Sequence, residues 1–359
     1  MIQETPPVTW VDTHKAMMKF VHHVRKTKEC AIDTETTGLD RWKDSVIIWS
    51  ACPSVDSRYC FSRAMLEIYD KELSQDTSIK WYFTNQTFDF CMMHNSGVRV
   101  PAGDSYCTLA MDWLYDENRR GGHGLKETAK EYIGLRMEAF KEAFDKKGKE
   151  TIQERLLRGL KEDFDRSISY ASIDAWATFG VFHALKKLLS ECASSTGMSY
   201  WDYFQKTEMP FTRVLFEMIR RGIMIDSGYL EDLKPKLEND ITAIERKIIK
   251  SAGKEININS PAQLRWLLFE QLKLKPIKMT KGGASKVRLP STDKDTLSAY
   301  AEDGVEVCQF ITEHRGMSKM LGTYVNGLHK WVDNSCRIHP TLTQHVAVTG
   351  RLSSVSPNL

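Results

Sequence analysis

The chain has 359 residues, 42% of them hydrophobic and 27% charged, with a formal net charge of +3 at pH 7. That length suits roughly two domains with ordinary cores. No signal peptide is evident and no apolar run approaches 18 residues, which excludes a spanning helix and predicts a soluble protein.

The net charge is too small to establish nucleic-acid binding. The eight cysteines include no C-x-x-C pair and no metal spacing with histidine. They read as reduced thiols, predicting a reducing, cytoplasmic compartment. His22-His23 on an early helix reads as a surface pair rather than a ligand site.

Glu29-Cys30-Ala31-Ile32 reads as the end of a buried strand, and Thr36-Thr37-Gly38 as the turn that follows. Between them stand Asp33-Thr34-Glu35. Residues two apart on a strand share a face, so Asp33 and Glu35 can share one cation. Taken singly, they are two solvated acids at a strand end. Val46 to Cys52 and Arg58 to Phe61 are expected to add strands beside Cys30 to Ile32, in a mixed central sheet.

Ile79 to Phe83 reads as a further strand, and Thr84-Asn85 as the break before a helix carrying Phe88, Phe90, Met92 and Met93. Asp89 lies in the first turns of that helix, where an acid is often only a dipole partner. Gly121-Gly122-His123-Gly124 is a turn before a helix. Leu135 to Ser167 is a charged helical stretch with Lys146-Lys147-Gly148-Lys149 at its bend, read as a solvated insertion or a peripheral helical pair near the cleft.

From Ser169 to Cys192 the apolar spacing fits a long amphipathic helix on which Tyr170 and Asp174 share a face. Together, Asp33, Glu35, Asp89 and Asp174 can hold two divalent metals, with Tyr170 orienting a water. Oxygen-only ligands favour Mg²⁺ or Mn²⁺ over zinc.

These three segments resemble the motifs of the proofreading 3′→5′ exonucleases of the DEDD superfamily, in the subclass whose last motif is Y-x-x-x-D. The resemblance implies a ribonuclease H-like α/β fold over residues 1–192 and catalytic roles for Asp33, Glu35, Asp89, Tyr170 and Asp174. It further implies that Asp33, Glu35 and Asp174 bind the metal that activates water, and Asp33 and Asp89 the second. Leu39 falls where that family has an apolar wedge against the 3′-terminal base, and Asn85 and Phe88 shape the same cleft.

Ser190 to Ser199 reads as a linker. Beyond it, Gly222 ends a helix, Ser260-Pro261 starts one, and long helices are expected over Pro235 to Ser251 and Asp303 to Trp331. Lys273, Lys275, Lys278, Lys281, Lys286 and Arg288 form a basic stretch around Gly282-Gly283, which lacks the other residues of a P-loop.

Thr349-Gly350-Arg351-Leu352-Ser353-Ser354-Val355-Ser356-Pro357-Asn358-Leu359 resembles a signature of family A DNA polymerases. Pro290-Ser291-Thr292, Tyr324-Val325 and Arg337-Ile338-His339 also fall where that family has similar residues.

The resemblance implies that residues 200–359 are a mostly helical polymerase thumb and the start of a palm. Lys278, Lys281, Lys286 and Arg288 would follow duplex phosphates, and Arg351 would reach the primer near its terminus. The expected partners are a single-stranded DNA 3′ end, a primer-template duplex and a second polypeptide carrying palm and fingers, as in a split polymerase; a truncated gene product is the other expectation. A stand-alone exonuclease acting on RNA and a non-catalytic DNA clamp are the alternative readings.

Overall fold

The computed structural model describes residues 5–280 and 287–359. Lys281, Gly282, Gly283 and Lys286 of the basic stretch lie outside the described residues. The chain divides into two compact units, one of residues 1–222 with 339–358, the other of residues 223–338 with Leu359.

The first unit opens with β1 (Val8–Val11), α1 (His14–Thr27), β2 (Glu29–Thr36), β3 (Val46–Cys52), β4 (Arg58–Ser62) and α2 (Met65–Glu72). It continues through β5 (Lys80–Phe83), α3 (Gln86–Asn95), β6 (Ser105–Cys107), α4 (Thr108–Tyr115) and α5 (Leu125–Thr128). Four further helices, α6 (Phe140–Ala143), α7 (Ile152–Glu162), α8 (Phe164–Glu191) and α9 (Tyr200–Tyr203), lead to α10 (Met209–Arg221).

The six strands form one mixed sheet in the order β1-β4-β3-β2-β5-β6, with β2 central. Strand β2 runs antiparallel to β3 and parallel to β5. Thus β4 joins β2 only through β3, which stands between them. This is the expected mixed α/β architecture of a ribonuclease H-like domain.

Alternation along β2 decides what each face can offer. Cys30 and Ile32 enter a core with α1, α2, α3 and α10, where Trp49 stacks on Phe61 at 3.9 Å. Ala31 enters the opposite core with α4 and α8, where Tyr82 stacks on Phe182 at 3.7 Å. Asp33 and Glu35 therefore share the α8 face, and Thr34 the α3 face.

Helix α8 starts at Phe164, five residues before the expected Ser169, because Asp163 caps it by accepting from the Arg166 N–H at 3.2 Å. Ala171, Ser172 and Ala175 are fully buried along its inner side. Such small side chains allow the helix backbone to lie close to the sheet.

The stretch from Leu135 to Ser167 is not a solvated insertion. Phe144 and Leu156 are buried with Ile48, Cys60, Ile168 and Ala171, and Phe140, Leu160 and Tyr170 pack against them. Salt-bridging charges on the outer side, such as Arg158 with Glu150 at 2.9 Å, give the stretch its polar composition.

Helices α9 and α10 pack with the first unit, and so does 339–358. The compact units therefore do not coincide with the ranges 1–192 and 200–359 expected from the motifs. His23 is less a surface residue than expected, for its ring lies 3.0 Å from the Tyr59 hydroxyl. All eight cysteines are free thiols.

The second unit holds β7 (Ile223–Met224), α11 (Ser227–Ala252), α12 (Pro261–Arg265), α13 (Lys294–Glu302), α14 (Glu306–Lys319), α15 (Asn326–Leu328) and β8 (Arg337–Ile338). Its core is apolar and helical, built on Ile244, Ile248, Leu264, Leu267, Leu297 and Ile311. The helix expected over Asp303 to Trp331 starts at Glu306, after Gly304 takes a positive φ of +86°, and it is not α-helical throughout: wider π-helical turns replace the α-helix over Met320–Val325.

In the returning segment, β9 (Thr341–Thr343) pairs antiparallel with β10 (Ser353–Val355). Among the described residues no helix is long and apolar enough to cross a membrane.

Candidate active site

The C-terminal end of β2 is where the predicted acids meet. A register irregularity with β3 falls between Glu35 and Thr36, ending regular pairing just past the two carboxylates. Asp33 and Glu35 face α8, from which Asp174 and Tyr170 approach.

Burial pushes the Asp33 carboxyl well above the usual carboxylate range, and Asp174, Asp89 and Glu35 push it further. Burial, and then Asp174, raise Glu35 to about 8. Asp174 is also raised, by burial, against the pull of Lys126. These mutual perturbations place the carboxylates in one electrostatic neighbourhood.

Asp89 reaches the site from the other face. It is buried at 3% exposure on the first turn of α3, and its Oδ1 accepts a 2.7 Å hydrogen bond from the Thr34 hydroxyl. Burial raises its pKa, while Thr34 and then Arg41 hold it down. The site thus straddles the strand end, with Asp33, Glu35 and Asp174 on the α8 side and Asp89 on the α3 side, near enough to raise the Asp33 pKa.

Tyr170 lies edge-on to Phe144 at 5.2 Å and to Phe140 at 6.2 Å. Burial, and then Asp174, Glu35 and Asp33, push its phenol above its ordinary value. The hydroxyl therefore stays protonated at neutral pH and can orient a water as a donor, but is no base.

Four carboxylates form an all-oxygen donor set, and Asp174 Oδ1 is buried without a hydrogen-bond partner. That chemistry fits hard divalent cations. Among the described residues, no three His, Cys, Asp or Glu side chains are gathered at metal-ligand spacing.

Leu39 stands 71% exposed on the loop after β2. Asn85 is the N-cap residue of α3, and its side chain lies 3.4 Å from the Thr87 hydroxyl. Phe88 is half-buried beneath the Arg41 guanidinium, 5.3 Å from its ring centre.

Of the described basic positions, Lys278 and Arg288 belong to the second unit and Arg351 to the segment that returns to the first. Lys278 pairs with Asp293 at 2.7 Å and Asp295 at 3.5 Å, acids that compete with any phosphate. Arg288 and Arg351 are exposed.

Sequence reasoning missed Thr34, Arg41 and Lys126. Thr34 was legible as the middle of the first motif, on the opposite strand face. Arg41 and Lys126 carry no local signal, since only folding brings them near Asp89 and near Glu35 and Asp174 respectively.

A family model described as 3′-5′ exonuclease matches residues 8–190, and one described as DNA polymerase family A matches residues 227–359. DNA polymerase I of Borreliella burgdorferi is 29% identical over 350 residues, covering 94% of this chain and 36% of that protein. DNA polymerase I of Treponema pallidum is 31% identical over 290 residues, covering 80% of this chain and 27% of that protein.

The chain spans about a third of the length of these relatives. The solved POL domain of Pol1 from M. smegmatis, in complex with DNA primer-template and dNTP, superposes with a TM-score of 0.74 at 21% identity. The match covers 95% of this chain and 54% of that one. The chain belongs to the 3′-5′ exonuclease family of the family A DNA polymerases, and joins that domain to a segment of the polymerase family itself.

Proposed function

We propose that this chain removes nucleotides from DNA 3′ ends by hydrolysing the terminal phosphodiester bond, as the proofreading part of a family A polymerase. The observation that carries the reading is the meeting of Asp33, Glu35, Asp89 and Asp174 at one strand end, where burial raises all four pKa values and repulsion by neighbouring carboxylates raises those of Asp33 and Glu35 further. Such a cluster costs stability unless positive charge balances it.

Asp33, Glu35 and Asp174 would hold one divalent cation, and Asp33 with Asp89 a second, a pair that would supply charge neutralisation, water activation and stabilisation of the leaving 3′-oxygen. Tyr170 orients the attacking water through its neutral hydroxyl. Leu39 presses on the terminal base, and Asn85 and Phe88 line its path. A frayed 3′ end reaches such a cleft more readily than a paired one, because less unstacking is needed.

Residues 1–192 are proposed as the exonuclease and residues 200–359 as thumb and start of palm. Arg288 and Lys278, with Lys281 and Lys286, would follow duplex phosphates, and Arg351 would contact the primer end. Binding should then weaken steeply with salt. Synthesis is proposed only where palm and fingers are supplied, as by a second polypeptide.

The test is release of 5′-mononucleotides from a labelled single-stranded DNA oligonucleotide with Mg²⁺ or with a chelator, beside a matched RNA. Release should require Mg²⁺ and vanish in the Asp33→Ala/Glu35→Ala double variant. Activity retained in that variant would defeat the assignment, and DNA binding without turnover would favour a clamp.

A further inference from the structure

The loop from Thr37 to Ser45, which carries the exposed Leu39, is fastened from two directions. On the exonuclease side Asp44 accepts 2.7 Å hydrogen bonds from the Thr37 hydroxyl and the Asp40 N–H. The Asn95 amide donates to the carbonyls of Arg41 at 3.1 Å and Asp44 at 2.7 Å, and Arg41 donates to the Thr87 hydroxyl at 3.1 Å.

The other fastening comes from the polymerase-family segment. The Trp42 indole lies flat on the His339 imidazole, ring centres 3.5 Å apart and planes at 10°. His339 Nδ1 is 2.8 Å from the carbonyl of Ile219 in α10, so that nitrogen carries a proton and the bond fixes the plane of the ring. His339 is the first residue of the stretch that returns to pack with the exonuclease unit. A few residues on, Leu342, Gln344 and His345 line a cleft together with Asn85 and Thr87.

We propose that His339 is a positioning residue for the exonuclease: through Trp42 it holds the Leu39 loop in the shape that receives a DNA 3′ end. The polymerase-family segment thereby sets how well the nuclease grips its substrate. The inference rests on the nuclease reading above. An apolar wedge gains from pressing on a base only if its loop is already ordered, because ordering it at the moment of binding costs backbone entropy.

Trp42→Ala, Trp42→Phe, His339→Ala and the double variant Trp42→Ala/His339→Ala would be compared in the full chain. The assay is hydrolysis of a 5′-labelled single-stranded DNA with Mg²⁺. Losing an aromatic stack of this kind should raise KM about 3- to 10-fold, with kcat within about twofold. The Phe variant should restore KM, and the double variant should be no worse than either single one.

Limited trypsin digestion provides a readout independent of activity, since the loop offers cleavage after Arg41 and Lys43. Both alanine variants should be nicked faster than wild type, and the Phe variant should not. Unchanged KM and unchanged nicking in the alanine variants would overturn the proposal, as would a fall in kcat with KM unmoved. If the wild-type chain releases no nucleotide, the nuclease reading itself falls; the nicking rates then still decide whether His339 holds the loop.

Discussion

Gly159→Ala separates two opposite expectations about the helical pair beside Tyr170. Gly159 lies inside α7, and by helix propensity alone an alanine there should stabilise by about 1 kcal/mol. The fold says otherwise. A Cβ at this position would stand 2.6 Å from Phe144 Cδ1, closer still to its Cε1, and 3.0 Å from Ser167 Oγ.

Phe144 is 4% exposed and lies edge-on to Tyr170, so its ring cannot yield without disturbing that phenol. Overpacking a core of this kind costs about 1–3 kcal/mol. The net expectation is a loss of about 1 kcal/mol, with a several-fold fall in nucleotide release.

Gly316→Ala is the control, because a Cβ there meets nothing within 4 Å on the exposed side of α14. It should stabilise by about 0.5–1 kcal/mol. Urea titration read by amide hydrogen exchange within each helix measures both changes locally. Adding Phe144→Leu to Gly159→Ala should recover stability by returning volume. A Gly159→Ala variant as stable as Gly316→Ala, with the nuclease rate unchanged, would refute tight packing at this position.

Two further outcomes follow from the acid cluster. Glu35 rises from its ordinary 4.5 to about 8 on folding, so its contribution is fully present below pH 4.5 and is lost as pH rises toward 8. At 1.4 kcal/mol per pH unit that loss is at most about 5 kcal/mol, and on the order of 2–4 after solvent screening of a half-buried group. In chelator, Glu35→Gln should therefore exceed wild type in urea stability by about that amount at pH 8.5 and by about 1 kcal/mol at pH 5.5. A gap independent of pH would contradict the repulsion argument.

Tyr170→Phe keeps the ring against Phe144 and removes only the hydroxyl. It should lower kcat on the order of 100-fold through misplaced water, leaving KM within about threefold. Because the phenol is held above its ordinary pKa, the pH profile of the residual activity should match that of wild type; a lost titration step would show that the phenol acts as a base.

Local pattern was enough to place Asp33, Glu35, Asp89, Tyr170 and Asp174 on their elements. A strand repeats every two residues and a helix every 3.6, so spacing alone assigns side chains to faces. The same periodicity gave no warning that Phe140 and Phe144, inside a charged stretch, would brace Tyr170. Charges outnumber the few aromatics there, and only the fold shows which side of each short helix turns inward.

The widening to π-helical turns over Met320–Val325 was likewise hidden in an otherwise helical pattern, since apolar spacing does not tell one from the other. Tertiary structure alone decided that Asp89 arrives from the face opposite Asp33, that Lys126 and Arg41 temper the acids, and that His339 lies under Trp42. Those relations join residues tens to hundreds of positions apart, and only burial in a common core, which local spacing does not encode, sets their distances.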